Sequence, residues 1–249
     1  MSLAASFGLL LEEYTANKDK KFAKNFLADF VRSDIPQNIQ QLLPAGGRYL
    51  TKGSVGQGNW ANVPWVAIFD RLITHSAQDG FYIVYLVKED CSGIYLSLNQ
   101  GVTTVRESYG ASAKDALQAR ASNYVAKLGG ENAGLVVGPI DLALTGNAGI
   151  ASFYESGAIL SKYYTPVDLV DDAQVSRDLR AFVGLYNRLY EAELSAVGLD
   201  QEDDEIGLNV EDCLNLKAHK RLERNQKLAQ DAKAFHGFVC QACNFDFEK

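Results

Sequence analysis

Three apolar runs follow one another in the first half of the chain: "VPWVAIFD" (63–70), "GFYIVYLVKED" (80–90) and "GIYLSLNQGVTTV" (93–105). The first is apolar almost throughout. The other two are rich in β-branched and aromatic residues, and Gly80, "EDCSG" and "NQG" punctuate them as turns. Residues 48–105 therefore read mostly as strands, with "EDCSG" a hairpin loop. Side chains alternate across a strand, so Tyr82, Val84 and Leu86 share one face and Phe81, Ile83 and Tyr85 the other.

Helical patterns flank this region. Residues 7–43 read as helical: Phe22, Phe26, Leu27 and Phe30 recur at helical spacing, with Lys18, Lys20, Lys21 and Lys24 in the first turns. Pro36 is expected to stop that helix, and "PQNIQQLLP" reads as a short second one. Residues 111–128 form a further helix, ended by Gly129 and Gly130. Residues 132–170 are mixed, with a short strand near "LVVGPIDL". The clearest helix covers 171–195, capped by Asp171 or Asp172. Leu179, Phe182, Val183, Tyr186, Leu189 and Tyr190 line one of its faces.

Composition bounds the function classes. Hydrophobic residues at 47% and charged residues at 22% suit a globular chain that buries a core. No apolar run approaches the roughly 18 residues of a membrane span, and no basic region precedes the N-terminal apolar patch, so neither a membrane partner nor a signal peptide is expected. Cys91, Cys213, Cys240 and Cys243 are too sparse for a disulfide framework, which implies a reducing cytoplasm. The net charge of −7 argues against nucleic-acid binding driven by bulk positive charge; a local basic face stays open.

The stretch "GSVGQGNWANVPW" (53–65) holds three glycines and both tryptophans of the chain. A phosphate loop of the Walker type needs a Lys after its last glycine, and none follows Gly58. The dinucleotide pattern fails on spacing. One alternative is a tight turn entering a buried strand, with Trp65 in the core. The other is a binding loop. Trp60 lies in its polar part, where an aromatic ring needs a reason.

On these residues the chain resembles the N-terminal specificity domain of McrB-type modification-dependent restriction systems. The shared pattern is a Gly-x-Gly-Asn loop, Pro-Trp opening an apolar strand, and Gly-aromatic-Tyr opening the next. The resemblance covers about residues 5–195 by the size expected of a domain. It implies a partner: double-stranded DNA carrying modified cytosine, 5-methylcytosine or 5-hydroxymethylcytosine. The base is flipped into an aromatic pocket, where stacking and burial offset the cost of unstacking. Carried over by position, Trp65, Tyr82 and Leu86 would form the base pocket. Gln57, Asn59 and Trp60 would form the DNA-probing loop. Gln57 stands where a family member carries a tyrosine that enters the duplex, so the wedge here differs. A third pocket aromatic is expected among Phe153, Tyr154, Tyr163 and Tyr164. Arg48 and Lys52, with the Lys18–Lys24 cluster, would contact phosphates. Sheet core is the competing reading for Tyr82 and Leu86, and a solvated helix face for the lysines.

The composition then shifts. "LDQEDDEIG" reads as an acidic linker (198–207). Beyond it, His219, Glu223, Arg224, Asn225, Lys233, His236, Cys240 and Cys243 resemble the entry to a zinc-bearing HNH nuclease domain. The catalytic His pair and the second cysteine pair of such domains do not appear before Lys249, so the chain is expected to lack nuclease activity. In a longer parent, Cys240 and Cys243 would ligate zinc, a divalent catalytic metal would be needed, and the nuclease part could form a homodimer. DNA binding needs no cofactor.

The resulting expectation is an α+β fold with a curved, largely antiparallel mixed sheet flanked by helices. Residues 1–197 would be the modified-DNA-binding domain, with a C-terminal helical and Cys-x-x-Cys fragment at 208–249. The competing functions are residual metal-dependent nicking and a protein-interaction module of a defence system.

Overall fold

In the computed structural model, residues 1–129, 134–146 and 149–198 are described. Six strands form one open sheet: β1 (Tyr49–Ser54), β2 (Trp65–Asp70), β3 (Phe81–Val87), β4 (Ile94–Gln100), β5 (Val136–Val137) and β6 (Ala158–Tyr164). Their order is β1-β2-β3-β4-β6-β5. Every pairing is antiparallel. The α+β class is as expected, and the sheet is antiparallel throughout. Residues 1–193 make one compact unit, and every contact described below lies within it.

The period-two alternation of β3 divides the core. Phe81, Ile83 and Tyr85 face the helices. Phe7 of α1 (Leu3–Lys18) meets Tyr85 with ring centroids 4.4 Å apart. Tyr186 of α7 (Asp172–Gly198) stands edge-on to Phe81 at 5.6 Å. The Tyr186 hydroxyl donates to the Phe81 carbonyl (2.9 Å) and accepts from the Asp70 N–H (3.0 Å), so one buried side chain ties α7 to two strands. Asp171 Oδ1 accepts from Gln174 N–H and caps α7, while Asp172 Oδ1 accepts from Ala4 N–H and docks the start of α1.

The N-terminal helical region keeps the expected short helix over "PQNIQQLLP" but departs from the expected continuous helix before Pro36. α1 ends at Lys18. A turn follows, in which Lys24 takes a left-handed conformation (φ 61°). The chain then re-enters α2 (Phe26–Asp29), widens into a π-turn (Phe30–Asp34) and continues as α3 (Ile35–Leu42). Pro36 therefore does not stop a helix. It sits in the first turn of α3, where its missing N–H costs little and the wide turn accommodates its ring. Phe26 is 71% exposed, whereas Leu27 and Phe30 are buried. Gly53 of β1 lies against this π-turn; a Cβ there would collide with the Val31 carbonyl.

"GVTTV" is likewise not strand. Thr103 and Thr104 donate their N–H groups to the Gln78 carbonyl (3.1 and 3.2 Å) and open α4 (Thr103–Tyr109). A 3₁₀ turn links it to α5 (Ala113–Lys127), which ends at Leu128 and Gly129. A short α6 (Ala151–Ser156) leads into β6. The 89–93 loop joins β3 to β4 as expected, closed by Asp90 Oδ1 accepting from the Ser92 N–H and hydroxyl.

Candidate nucleic-acid interface

The second face of the sheet carries the aromatic residues of interest. Register pairs Ser54 with Trp65, Trp65 with Leu86, Leu86 with Tyr95 and Tyr95 with Tyr163. These five residues form one rung across five strands. Trp65 and Tyr95 are half-buried at its surface, and Leu86 is buried between them. The Tyr95 and Tyr163 rings lie 4.8 Å apart, and the Tyr163 hydroxyl donates to the Ser92 carbonyl (3.0 Å). Lys88 Nζ stands 5.6 Å from the centre of the Tyr163 ring and 3.7 Å from Asp141.

Below the rung the face is filled. Tyr82 is buried, its ring 5.3 Å from that of Phe69. Val63, Ala67, Val84 and Leu86 complete the cluster. A strap of irregular backbone, residues 138–145, crosses this face and buries Ile140 and Leu142 against it. Two carboxylates hold the strap. Glu155 accepts from Leu142 N–H (2.8 Å), and Glu89 accepts from the Thr145 N–H and hydroxyl (2.7 and 3.0 Å). Burial raises the pKa of Tyr82 well above the ordinary tyrosine value, with a smaller push from Tyr154. Tyr154 and Tyr95 are raised for the same first reason. All three phenols stay neutral at physiological pH, so the face carries no phenolate charge.

The β1–β2 connection runs from Ser54 to Trp65, at one end of the rung. Gln57, Gly58 and Asn59 are exposed at its tip. Gly56 takes φ 109°, where a Cβ would also meet the Asn59 carbonyl. The base of the finger is fastened. Ala61 N–H reaches the Val55 carbonyl (2.7 Å), the Tyr14 hydroxyl donates to the Ala61 carbonyl (2.7 Å), and Arg32 Nη2 donates to the Gly56 carbonyl (2.9 Å). Trp60 is turned inward to half-burial. Its Nε1–H donates to the Lys20 carbonyl (3.1 Å), and its ring meets Tyr14 and Phe22 edge-on at 5.6 and 5.1 Å. Val63 and Pro64 are buried, and they carry the chain from the finger directly to Trp65.

The expected phosphate ligands differ from each other in character. Lys52 is exposed on β1. Arg48 donates through Nε and Nη2 to Asp70 Oδ2 (2.8 and 2.5 Å), and that carboxylate has no exposed surface. The pairing follows from register, because Tyr49 is opposite Asp70. The four aromatics considered for the pocket divide. Tyr163 is on the rung, and Tyr154 packs on the Tyr82 cluster. Tyr164 points to the helix side and donates to Asp178 (2.7 Å). Phe153 lies under Arg106 and Lys114 in a separate cluster. Sequence reasoning missed Tyr95, although its place in an alternating run was visible; what it lacked was the register that aligns Tyr95 with Trp65.

Among the described residues no group of three or more His, Cys, Asp or Glu side chains could hold a metal ion. No helix there is long and apolar enough to cross a membrane. Cys240, Cys243, the acidic stretch after Gly198 and the HNH-like segment lie outside the described residues.

Together these features define a class: an α+β domain on an open antiparallel sheet, with α1 and α7 packed on one face, an aromatic rung on the other, and an exposed finger in the β1–β2 connection braced to the α1–α2 turn. The model of the MrcB-like, N-terminal domain family matches residues 9–191, and the chain belongs to that family. Membership points to a DNA-binding specificity module of McrB-type restriction systems. No curated protein matches the chain.

Proposed function

We propose that this domain reads modified cytosine in duplex DNA by flipping the base out of the stack and onto the aromatic face. The observation that carries the reading is the short chain connection from the finger to the face. Gln57 and Asn59 project into solvent from the same connection that delivers Trp65, half-open, to the head of the rung. The finger probes the duplex, Gln57 fills the vacated position and hydrogen-bonds the orphaned guanine, and Trp65 stacks on the expelled base. Leu86 and Tyr82 supply the apolar wall behind it, reached as the 138–145 strap yields. Stacking on one aromatic ring is worth about 1–3 kcal/mol, enough to offset much of the unstacking cost. A 5-methyl group adds apolar area that the wall removes from water.

The segment from about residue 208 is proposed to belong to an HNH-type nuclease domain coupled to this module, with Cys240 and Cys243 as zinc ligands. A second reading, in which the aromatic face is simply core of a protein-interaction module, draws support from the burial of Tyr82 and Leu86. A fluorescent cytosine analogue at the target position separates the two. Flipping predicts a rise in its fluorescence on binding that Trp65→Ala abolishes or strongly reduces. An unchanged signal with bound wild-type protein would favour the interaction module.

A further inference from the structure

The turn between α1 and α2 concentrates positive charge on an acidic chain. Residues 18–24 hold four lysines and one aspartate, against a net charge of −7 for the whole sequence. Lys20, Lys21 and Lys24 are exposed and Lys18 half-exposed. Among the described residues none of the four is paired with a carboxylate. Two clefts open on this turn. One, of about 420 Å³, is lined by Lys18, Lys20, Phe22, Asn59, Trp60 and Asn62, so it joins the lysines to the finger. The other, of about 620 Å³, is lined by Lys20, Lys21, Lys24 and Asn25 among others. Lys20 borders both.

The turn is held in shape. Lys20 N–H bonds the Asn17 carbonyl (3.0 Å), Asn25 Nδ2 donates to Asn17 Oδ1 (3.0 Å), and Leu27 N–H donates to Asn25 Oδ1 (2.8 Å). The left-handed backbone at Lys24 is a conformation that costs energy and persists when the surroundings fix it. Two side chains brace the turn to the finger. Trp60 bonds the Lys20 carbonyl and abuts Phe22; Arg32 lies over the Phe22 ring at 4.9 Å and bonds the Gly56 carbonyl.

We propose that the Lys18–Lys24 turn is a backbone-phosphate anchor for duplex DNA, rigidly set against the Gly56–Asn59 finger by Trp60 and Arg32. The proposal rests on the duplex-DNA reading above and narrows its electrostatic contact from Arg48, Lys52 and the lysine cluster to the cluster alone, fixed in position against the finger. Arg48 is already committed to a buried carboxylate, whereas these lysines have no carboxylate partner among the described residues and stand beside the finger. An anchor at fixed distance from the finger sets which base the finger meets, and carries no sequence information itself.

The test is a salt titration of duplex binding by the full chain. Wild type, the triple variant Lys20→Gln/Lys21→Gln/Lys24→Gln and, for comparison, Lys52→Gln are each measured on unmodified and 5-methylcytosine duplexes. Removing one phosphate-binding charge lowers the steepness of log K against log salt by about 0.9. The triple variant should therefore bind both duplexes more weakly, with a steepness reduced by roughly 2–3 and the ratio between duplexes unchanged. Wild-type steepness in the triple variant would overturn the anchor while leaving modified-base reading intact. A reduced steepness in a protein whose wild type does not distinguish the duplexes would support the anchor and defeat the modified-base reading. Absence of duplex binding by wild type would defeat both. Inorganic phosphate is titrated in parallel; saturable binding of it that the triple variant loses, with duplex steepness unchanged, would assign the lysines to a small anion and overturn the proposal.

Discussion

Single residues at three places carry most of what can be measured. Trp65 heads the aromatic rung with one side open, so removing its ring should cost recognition more than stability. Trp65→Ala is expected to weaken binding to a modified duplex by roughly ten-fold or more, because a stacking partner is removed. Binding titrations check it, and unaltered affinity would count against the pocket. Tyr186 is the opposite case, wholly structural. Tyr186→Phe removes the two buried hydrogen bonds that join α7 to β2 and β3. It should lower stability by about 1–3 kcal/mol, read from urea unfolding, with duplex affinity unchanged. Gly53→Ala should also destabilise by about 1–3 kcal/mol or more, because its methyl group meets the Val31 backbone rather than a side chain that could swing away.

Elements show which parts of the fold the residues announce in advance. The alternation in 81–87 assigns Tyr82, Val84 and Leu86 to one face because a strand leaves no other option. The period of 171–195 does the same for α7. Breaks are harder to read. Residues 18–30 keep helical spacing through Phe22, Phe26 and Phe30, yet the helix interrupts at 19–25 because tertiary contacts override propensity. Asn17 and Asn25 bond each other there, and Trp60 captures the Lys20 carbonyl. β-Branched Thr103 and Thr104 read as strand, but Gln78 satisfies their N–H groups and turns them into a helix start. The strap over the aromatic face was illegible for a different reason. Residues 138–145 have no period, and their partners Glu89 and Glu155 are held by side-chain bonds that spacing does not encode. Glu89→Gln should loosen that strap. The Thr145 amide is then expected to exchange hydrogen faster, with global stability reduced by about 1 kcal/mol at most. Unchanged exchange at Thr145 would show that apolar packing alone holds it.

At the scale of the whole molecule, the unit formed by residues 1–193 is built around neutral tyrosines. Tyr82, Tyr85, Tyr164 and Tyr186 are buried, and burial raises each phenol above its ordinary value near 10. A raised folded-state pKa means that the folded form keeps protons the unfolded chain releases. Their contribution is complete below pH 10 and falls away as pH rises above it. Stability should therefore be level from neutral pH to about 9. It should then fall by about 1.4 kcal/mol per pH unit for each such tyrosine. Denaturant unfolding between pH 7 and 11 measures this, and a flat profile to pH 11 would show that the phenols ionise without unfolding.

At the same scale, the domain sets a basic turn, a braced finger and an aromatic rung on an otherwise acidic chain, an arrangement that suits the proposed discrimination between duplexes that differ by one small group. The most direct measurement is equilibrium binding of the protein to three matched duplexes carrying cytosine, 5-methylcytosine or 5-hydroxymethylcytosine at one position, at a single stated salt concentration. Tighter binding to at least one modified duplex than to the unmodified one, with the difference abolished in Trp65→Ala, is the predicted result. Equal affinity for all three, unmoved by Trp65→Ala, would contradict it.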